Sequence, residues 1–327
     1  MWRCNPLVLT MPQNGASQHT VGIIGLGLVG NAIAARLQKA GYRCVGHDVD
    51  MTAQQRFATQ FGSAVASSAS LAAQVDTVIL AVFNTDQVLH VVEGTGGLLS
   101  GKSGRARHLK TIIDCSTGDP VRLRALALRL HEQSVDLIEA PLSGSSAQIA
   151  AGEATLLLGG SPESIAKAAE LLKAISAKQI QVGAVGMGAR AKLATNLVLG
   201  LNRAVLAEGM VFARALGIEP AKFLELVLAT PARSDAALAK GQKMVQEDFA
   251  PQSRIRQHLK DVELMLALAK QQNQGLPLSE THARLMQTAV QAGDGDLDNA
   301  AILRTIKDWP SSGLAHLLDI ERTRNQG

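Results

Sequence analysis

A glycine-rich turn between a short apolar run and a helical segment is the feature that most constrains the fold of this chain. Val21-Gly22-Ile23-Ile24 has the pattern of a buried strand, Gly25, Gly27 and Gly30 follow at once, and residues 31–40 keep helical spacing. In such a strand–turn–helix unit the glycines turn the chain tightly, let the backbone approach a pyrophosphate and pack the helix against the strand. The pattern predicts a dinucleotide held by one loop, formed by Gly25, Leu26, Gly27, Leu28, Val29 and Gly30.

An acidic residue stands where this kind of unit makes its second contact with the nucleotide. The second predicted strand ends at Gly46-His47-Asp48, which places a carboxylate at the distance expected for the adenosine ribose hydroxyls. A carboxylate there repels a 2′-phosphate and therefore favours NAD over NADP. The alternative is a turn in another kind of α/β protein, with Asp48 as a solvated loop residue. The complete context of the motif favours the nucleotide site.

Two hydrophobic patterns divide the chain, whose 327 residues already suggest two domains. Apolar runs alternate with helical patterns up to residue 182, as in βαβ units, and beyond Gly188 helical patterns follow one another. We predict an α/β N-terminal Rossmann domain with a doubly wound, mostly parallel sheet, followed by an all-α C-terminal domain. The predicted parts are a flexible tail at 1–20, the NAD-binding domain at 21–184 and the helical substrate and oligomerisation domain at 185–327. The predicted strands are 21–25, 43–47, 77–82, 111–114, 136–140, 154–158 and 179–182. The predicted helices of the second part are 189–216, 220–228, 253–272, 277–292 and 298–306.

Composition argues against several classes of function. The net charge is +4 and the basic residues are scattered along helical faces, so we expect no nucleic-acid partner. Three cysteines at unrelated spacings argue against disulfides and zinc, and the eight histidines show no paired ligand spacing, so we expect no metal and a cytoplasmic location. Charged side chains interrupt the most apolar stretches, which argues against a membrane-spanning segment.

Three further segments carry candidate chemistry. They are Asp114-Cys115-Ser116-Thr117-Gly118-Asp119-Pro120, Glu139-Ala140-Pro141-Leu142-Ser143-Gly144-Ser145-Ser146, and Gly186-Met187-Gly188 leading to Lys192 and Asn196. Together with the glycine turn, these segments resemble the β-hydroxyacid dehydrogenase family, whose members include 3-hydroxyisobutyrate dehydrogenase and 2-hydroxy-3-oxopropionate reductase. The resemblance extends from Val21 to about Lys307.

The resemblance implies an enzyme that transfers a hydride between NAD and a small β-hydroxy acid or its semialdehyde or keto partner, for example 3-hydroxyisobutyrate, tartronate semialdehyde or threonate. Lys192 and Asn196 are four residues apart and therefore share one helical face. By resemblance, Lys192 is the general acid/base and Asn196 positions it or the substrate. A lysine in this role must spend time neutral, which requires desolvation or a nearby positive charge. The resemblance also implies cofactor contacts at Val82, Phe83, Gln87, Thr117 and Lys260, and substrate contacts at Ser116, Ser143, Gly144 and Ser145.

Spacing alone leaves alternatives for these residues. Ser116 or Thr117 could instead cap a helix that begins at Pro120. Lys192 could be one more solvated lysine, and Lys260-Asp261 could be an exposed charge pair.

The substrate loop departs from the family pattern, and this leaves the substrate open. Ser145 stands where a second glycine is usual, and Gln148-Ile149 stands where the family has Gly-Ala, so we expect a narrower or more polar pocket. Two other functions remain, an imine reductase and a non-catalytic NAD-sensing protein, and Lys192 disfavours the first. We expect a small carboxylate-bearing substrate and a homodimer or homotetramer formed through the helical domain.

Overall fold

A computed structural model describes residues 19–100 and 108–310 of the chain. The predicted tail therefore lies outside the described residues up to position 18, and the first strand begins at Thr20. The strands are β1 Thr20–Ile24, β2 Arg43–His47, β3 Gly62–Ala64, β4 Thr77–Leu80, β5 Thr111–Asp114, β6 Asp136–Glu139, β7 Leu142–Ser143, β8 Thr155–Gly159 and β9 Gln179–Gly183.

Helices connect most of these strands, and the elements after β9 are all helical. The helices are α1 Leu28–Lys39, α2 Met51–Phe61, α3 Ser68–Ala72, α4 Thr85–Glu93, α5 Pro120–His131, α6 Ser146–Ala151, α7 Pro162–Lys167, α8 Ala169–Ile175, α9 Met187–Ala215, α10 Pro220–Ala229, α11 Asp235–Gln246, α12 Ile255–Gln271, α13 Pro277–Gln291 and α14 Ile302–Lys307.

The strands form one mostly parallel sheet, as the sequence predicts. Its order is β3-β2-β1-β4-β5-β6-β8-β7, with β9 beside β8, and the pairs from β3 to β6 are all parallel. The strand order changes direction between β1 and β4, and open α/β sheets bind their ligands at such a point. The loops after these two strands are therefore the expected edge of a nucleotide site.

Both faces of the sheet are covered, which explains why its strands are almost continuously apolar. Ile23, Ile79 and Ile113 enter one buried cluster, and their neighbours Ile24 and Leu80 enter another on the opposite face. A third cluster lies among α9 to α14.

The seven predicted strands lie within one or two residues of β1, β2, β4, β5, β6, β8 and β9. The short strands β3 and β7 and the helix α11 were not predicted. The predicted helix at 298–306 is wrong in its first half, where Asn299–Ala301 form a 3-10 turn before α14. The cause is Asp298, whose carboxylate accepts hydrogen bonds from Ala300 N, Gln252 N and Ser253 N and holds the chain out of a regular helix.

The helical part is built around α9, which has 29 residues. By length and mean hydropathy alone this helix could cross a membrane. Its buried face, however, packs against the sheet and the other helices and carries Lys192, Asn196 and Arg203, so it is the core helix of this fold. Lys192 stands in its second turn, next to the sheet.

Candidate active site

The glycine turn has the shape of a cradle for a dinucleotide. A Cβ at Gly30 would lie 1.9 Å from the Gly25 carbonyl oxygen, and one at Gly25 would lie 2.4 Å from the Ala81 oxygen. By contrast, a Cβ at Gly27 would meet no protein atom within 4 Å, and Gly27 begins α1 without a side-chain cap. The first amides of α1 thus face open space beside a residue with no side chain. This arrangement fits the pyrophosphate of NAD.

The rest of the predicted loop supports this cradle. Leu26 is buried and its N–H donates to Asp48 Oδ2 at 2.7 Å, while Leu28 and Val29 open the helix. Asp48 Oδ1 also accepts from Asp50 N at 2.9 Å. Asp50 in turn caps α2, so two carboxylates and no basic side chain stand directly after β2. A 2′-phosphate would meet two negative charges there, which favours NAD.

The ends of β4 and β5 bring the predicted nicotinamide-side residues together. Val82 N donates to Ser116 Oγ at 3.1 Å, so the Ser116 hydroxyl is already engaged inside the protein. Thr117 is 8 % exposed, and its hydroxyl makes no hydrogen bond to the described residues. Asp119, rather than Ser116 or Thr117, caps α5. The capping alternative is therefore wrong.

Gln87 lies on α4 and is exposed, and its Oε1 accepts from Phe83 N at 2.8 Å. The structure thus places Gln87 as a support for the loop after β4. Phe83 is half-buried beside Lys260, whose Nζ lies 5.5 Å from the centre of its ring.

Lys260 joins the helical part to the sheet. Its Nζ donates to Thr117 O at 2.7 Å and to Phe83 O at 2.9 Å, and lies 2.8 Å from Asp261 Oδ1. Asp261, which is 3 % exposed, also accepts from Asn196 Nδ2 at 3.0 Å. The charge pair is thus a buried link, and the interpretation of it as an exposed pair is wrong. Asp261 connects Lys260 with Asn196, a role that sequence reasoning missed.

Lys192 is a buried lysine that faces the substrate loop. It is 8 % exposed, and its Nζ donates to Leu142 O at 2.7 Å, directly before Ser143. Burial lowers the pKa of Lys192 to about 8; the positive charges of Arg203 and Lys260 act in the same direction, and Asp261 opposes them. The desolvation and the nearby positive charge that the sequence argument required are both present.

The substrate loop itself is held by a capping box. Ser145 Oγ accepts from Gln148 N, and Ser145 N donates to Gln148 Oε1 at 2.8 Å. The two departures from the family pattern are therefore bonded to each other at the start of α6. Ser143 is half-buried, and its hydroxyl has no partner among the described residues. Gly144 is exposed, and a Cβ there would lie 2.8 Å from that of Ala154.

Two buried carboxylates at the strand ends were not predicted from the sequence as site residues. Glu139 ends β6 and accepts from the N–H groups of Gly186, Gly188 and Ala189 at the start of α9. Burial raises the pKa of Glu139 to about 7, against the effect of these three donors. Asp114 ends β5 with one oxygen unpartnered, and burial raises its pKa to about 6. The sequence feature that could have indicated both carboxylates is an acidic residue directly after an apolar run.

The structure therefore gathers Lys192, Asn196, Thr117, Ser143 and Lys260 around the junction between sheet and helices, and places the glycine turn at the adjacent strand ends. Among residues 19–100 and 108–310, no group of three or more His, Cys, Asp or Glu side chains is placed to hold a metal ion.

Comparison with known proteins gives two matching family models. One is described as the NAD binding domain of 6-phosphogluconate dehydrogenase and matches residues 20–186. The other is described as the NAD-binding domain of NADP-dependent 3-hydroxyisobutyrate dehydrogenase and matches residues 186–306.

Individual relatives match over nearly their whole length. L-threonate dehydrogenase of Cupriavidus necator is 30 % identical over 88 % of this chain and 95 % of its own. The 2-hydroxy-3-oxopropionate reductase of Escherichia coli is 28 % identical over 90 % and 99 %. The crystal structure of 3-hydroxyisobutyrate dehydrogenase from Salmonella typhimurium superimposes with a TM-score of 0.77 at 27 % identity, covering 88 % of this chain and 99 % of that one. An imine reductase from Pseudomonas sp., with a TM-score of 0.58 at 18 % identity over 88 % and 99 %, is alike in fold alone.

Proposed function

The chain belongs to the β-hydroxyacid dehydrogenase family, and we propose that Lys192 and Asn196 carry its chemistry. It is an NAD-dependent oxidoreductase that transfers hydride between a nicotinamide cofactor and a small β-hydroxy acid or its semialdehyde or keto partner. One observation carries the assignment of roles. Lys192 is a buried amine that donates to Leu142 O, one residue before the free hydroxyl of Ser143.

Lys192 is suited to move the hydroxyl proton. Oxidation of the hydroxy acid requires a base at that oxygen, and the neutral amine accepts the proton; in the reverse direction the ammonium donates it. Bound NAD supplies the acceptor for the hydride. With a pKa of about 8, Lys192 is neutral in about a tenth of the molecules at pH 7 and in most of them above pH 9. Asn196, fixed by Asp261, positions the substrate beside it.

We propose a small acid with additional hydroxyl groups, such as threonate, as the substrate. The free hydroxyl of Ser143 and the exposed backbone at Gly144 are suited to a carboxylate or a hydroxyl. The similarity to an L-threonate dehydrogenase and to a 2-hydroxy-3-oxopropionate reductase supports the same class. Because Ser145 and Gln148 are bonded to each other, they add little polarity that a substrate could use, and the hydroxyl open to the substrate is that of Ser143.

The test is an NADH assay with NAD and NADP against three- and four-carbon hydroxy acids. We expect turnover with NAD and a polyhydroxylated acid, and a loss of about 10²–10⁴-fold in kcat for Lys192→Met. NADH binding should stay unchanged in that variant, and Arg190→Met, an exposed change on the same helix, should keep full activity. Near wild-type turnover in Lys192→Met would refute the assignment. NAD binding without turnover on any acid would instead support a non-catalytic NAD sensor.

We also propose that two copies of the chain associate through α9. The proposed location is the cytoplasm, and we propose neither nucleic acid nor a membrane as a partner. Four apolar side chains follow one another along this helix and are 56–67 % exposed. Three of them are seven residues apart, which is the spacing of a helix–helix seam. They are Val198, Val205, Phe212 and Leu216. Light scattering should give a dimer or tetramer, and Val205→Glu with Phe212→Glu should give a monomer; an unchanged mass would refute this surface.

A further inference from the structure

Arg203 is a buried cation without a direct partner. It stands on α9, is 7 % exposed, and its Nη2 has no hydrogen-bond partner within residues 19–100 and 108–310. Its guanidinium makes no ion pair with the described residues. Burying a guanidinium without an ion pair is costly, and the charges of Asp298 and Asp261 offset only part of this cost. The arrangement therefore calls for an explanation.

Arg203 shares a helix face with Lys192. The two residues are separated by eleven positions, or about three turns, and Asn196 and Gly200 lie between them on the buried side. Gly200 leaves room for an imidazole, because a Cβ there would lie 2.2 Å from His258 Nε2. His258 Nε2 itself makes no hydrogen bond within the part of the chain that the structure describes. The face that carries the proposed base thus continues directly into a second buried basic group.

The charges around this face are not balanced. The cations are Lys192 and Arg203 from α9, Lys240 from α11 and Lys260 from α12; the anions are Asp261 from α12 and Asp298 before α14. Lys240 is paired with Asp298 at 2.9 Å, and Lys260 with Asp261 at 2.8 Å.

The two imidazoles of this cluster add no charge near neutral pH. Burial and the charge of Arg203 hold the pKa of His258 on α12 well below its ordinary value, and lower that of His282 on α13 to about 4. Of the four cations of this cluster, Lys192 and Arg203 are the two that form no ion pair with the described residues.

We propose that Arg203 acts on the reaction through Lys192: its buried, unpaired charge favours the neutral amine, the form that accepts the substrate proton. Arg203 is thus a positioning residue that rests on the proposed function of Lys192. Of the two unpaired cations only the lysine can release its proton readily, since an arginine keeps its charge. Burial of Lys192 has the largest effect on its proton affinity. Asp261 works against Arg203, and the balance between these two charges adjusts the pH at which the lysine becomes a base.

The proposed role of Arg203 lowers the stability of the fold, and stability can be measured apart from activity. If the guanidinium is kept for its charge alone, replacing it by an apolar side chain of similar length removes an unpaired buried charge. Arg203→Met should then unfold at the same temperature as the wild type or at a higher one. A purely structural arginine would show a clear loss of stability instead.

The experiment is the pH profile of kcat/KM for hydroxy-acid oxidation in the wild type, Arg203→Met and Arg203→Lys, with Arg214→Met as the exposed control on the same helix. In Arg203→Met we expect the kinetic pKa to rise by about one pH unit, which lowers the rate at pH 7 about tenfold. Arg203→Lys, which keeps the charge, and Arg214→Met should follow the wild type.

An unchanged profile in Arg203→Met, or an equal shift in Arg203→Lys, would overturn the proposal. A clear loss of stability in Arg203→Met together with an unchanged pH profile in that variant would mean that the arginine is structural. Lys192→Met serves as the reference: if that variant keeps its turnover, the proposed function itself fails, whatever the Arg203 variants show.

Discussion

Lys260→Met probes the junction that brings the two parts of the site together. The change removes donors to Thr117 O and Phe83 O and the cation beside Asp261. Asp261 is 3 % exposed, so its carboxylate would lose its ion-pair partner at a position that water hardly reaches. Removing one partner of a buried pair costs about 3–5 kcal/mol, and the 18 % exposure of the Lys260 side chain places the expected loss near the lower end, about 3–4 kcal/mol.

Thermal unfolding measures this loss. With an unfolding entropy of about 2.1 cal/mol/K per residue, this chain of 327 residues loses about 4–6 °C in Tm for about 3–4 kcal/mol. Adding Asp261→Asn removes the unpaired carboxylate and keeps an acceptor for Asn196. The double variant should therefore recover most of the Tm that Lys260→Met loses. Lys222→Met, in a pair with Glu225 whose lysine is 59 % exposed, should cost at most about 0.5 kcal/mol.

Two results would refute this account of Lys260. A single variant that melts with the wild type would mean that the contacts to the two carbonyls and to Asp261 contribute nothing to stability. A double variant as unstable as the single one would mean that the unpaired charge of Asp261 is not the cause of the loss.

Three further predictions test other parts of the molecule. Gly27→Ala should leave the Tm unchanged and weaken NADH binding in a fluorescence titration. Gly30→Ala should lower the Tm, because its Cβ would overlap the Gly25 oxygen. If the two variants have equal effects on Tm and on NADH binding, the proposed role of the glycine turn is contradicted. The pKa of buried His282 is about 4, so only the unfolded state takes up its proton between pH 6.5 and 4, and stability falls over that range by up to about 3 kcal/mol. His282→Gln should flatten the plot of Tm against pH, and an unchanged slope would exclude His282 as the cause. Asp48→Asn should reduce the preference for NAD over NADP in kcat/KM, and an unaltered ratio would show that this carboxylate does not select the cofactor.

Local patterns determined the nucleotide-binding part of the molecule. The glycine turn, the strands on either side of it and Asp48 lie within thirty residues, and each is specified by short-range chemistry: tight turns need glycine, and buried parallel strands need apolar runs. Local patterns did not predict β3, which has three residues and no apolar run. They also did not predict α11, because its many small and polar residues give no clear helical spacing of apolar residues.

Only the tertiary structure decided how the charged groups of the site are partnered. Glu139 meets the start of α9 across 47 residues, Asn196 meets Asp261 across 65, and Lys260 meets Thr117 across 143. The sequence shows that these groups exist and, by their spacing, that Lys192 and Asn196 share a helix face. It does not show that Asp261 is shared between Asn196 and Lys260, or that Arg203 has no ion-pair partner. The physical reason is that burial and charge pairing depend on which surfaces meet when the helices pack on the sheet, and those contacts set the proton affinity of Lys192.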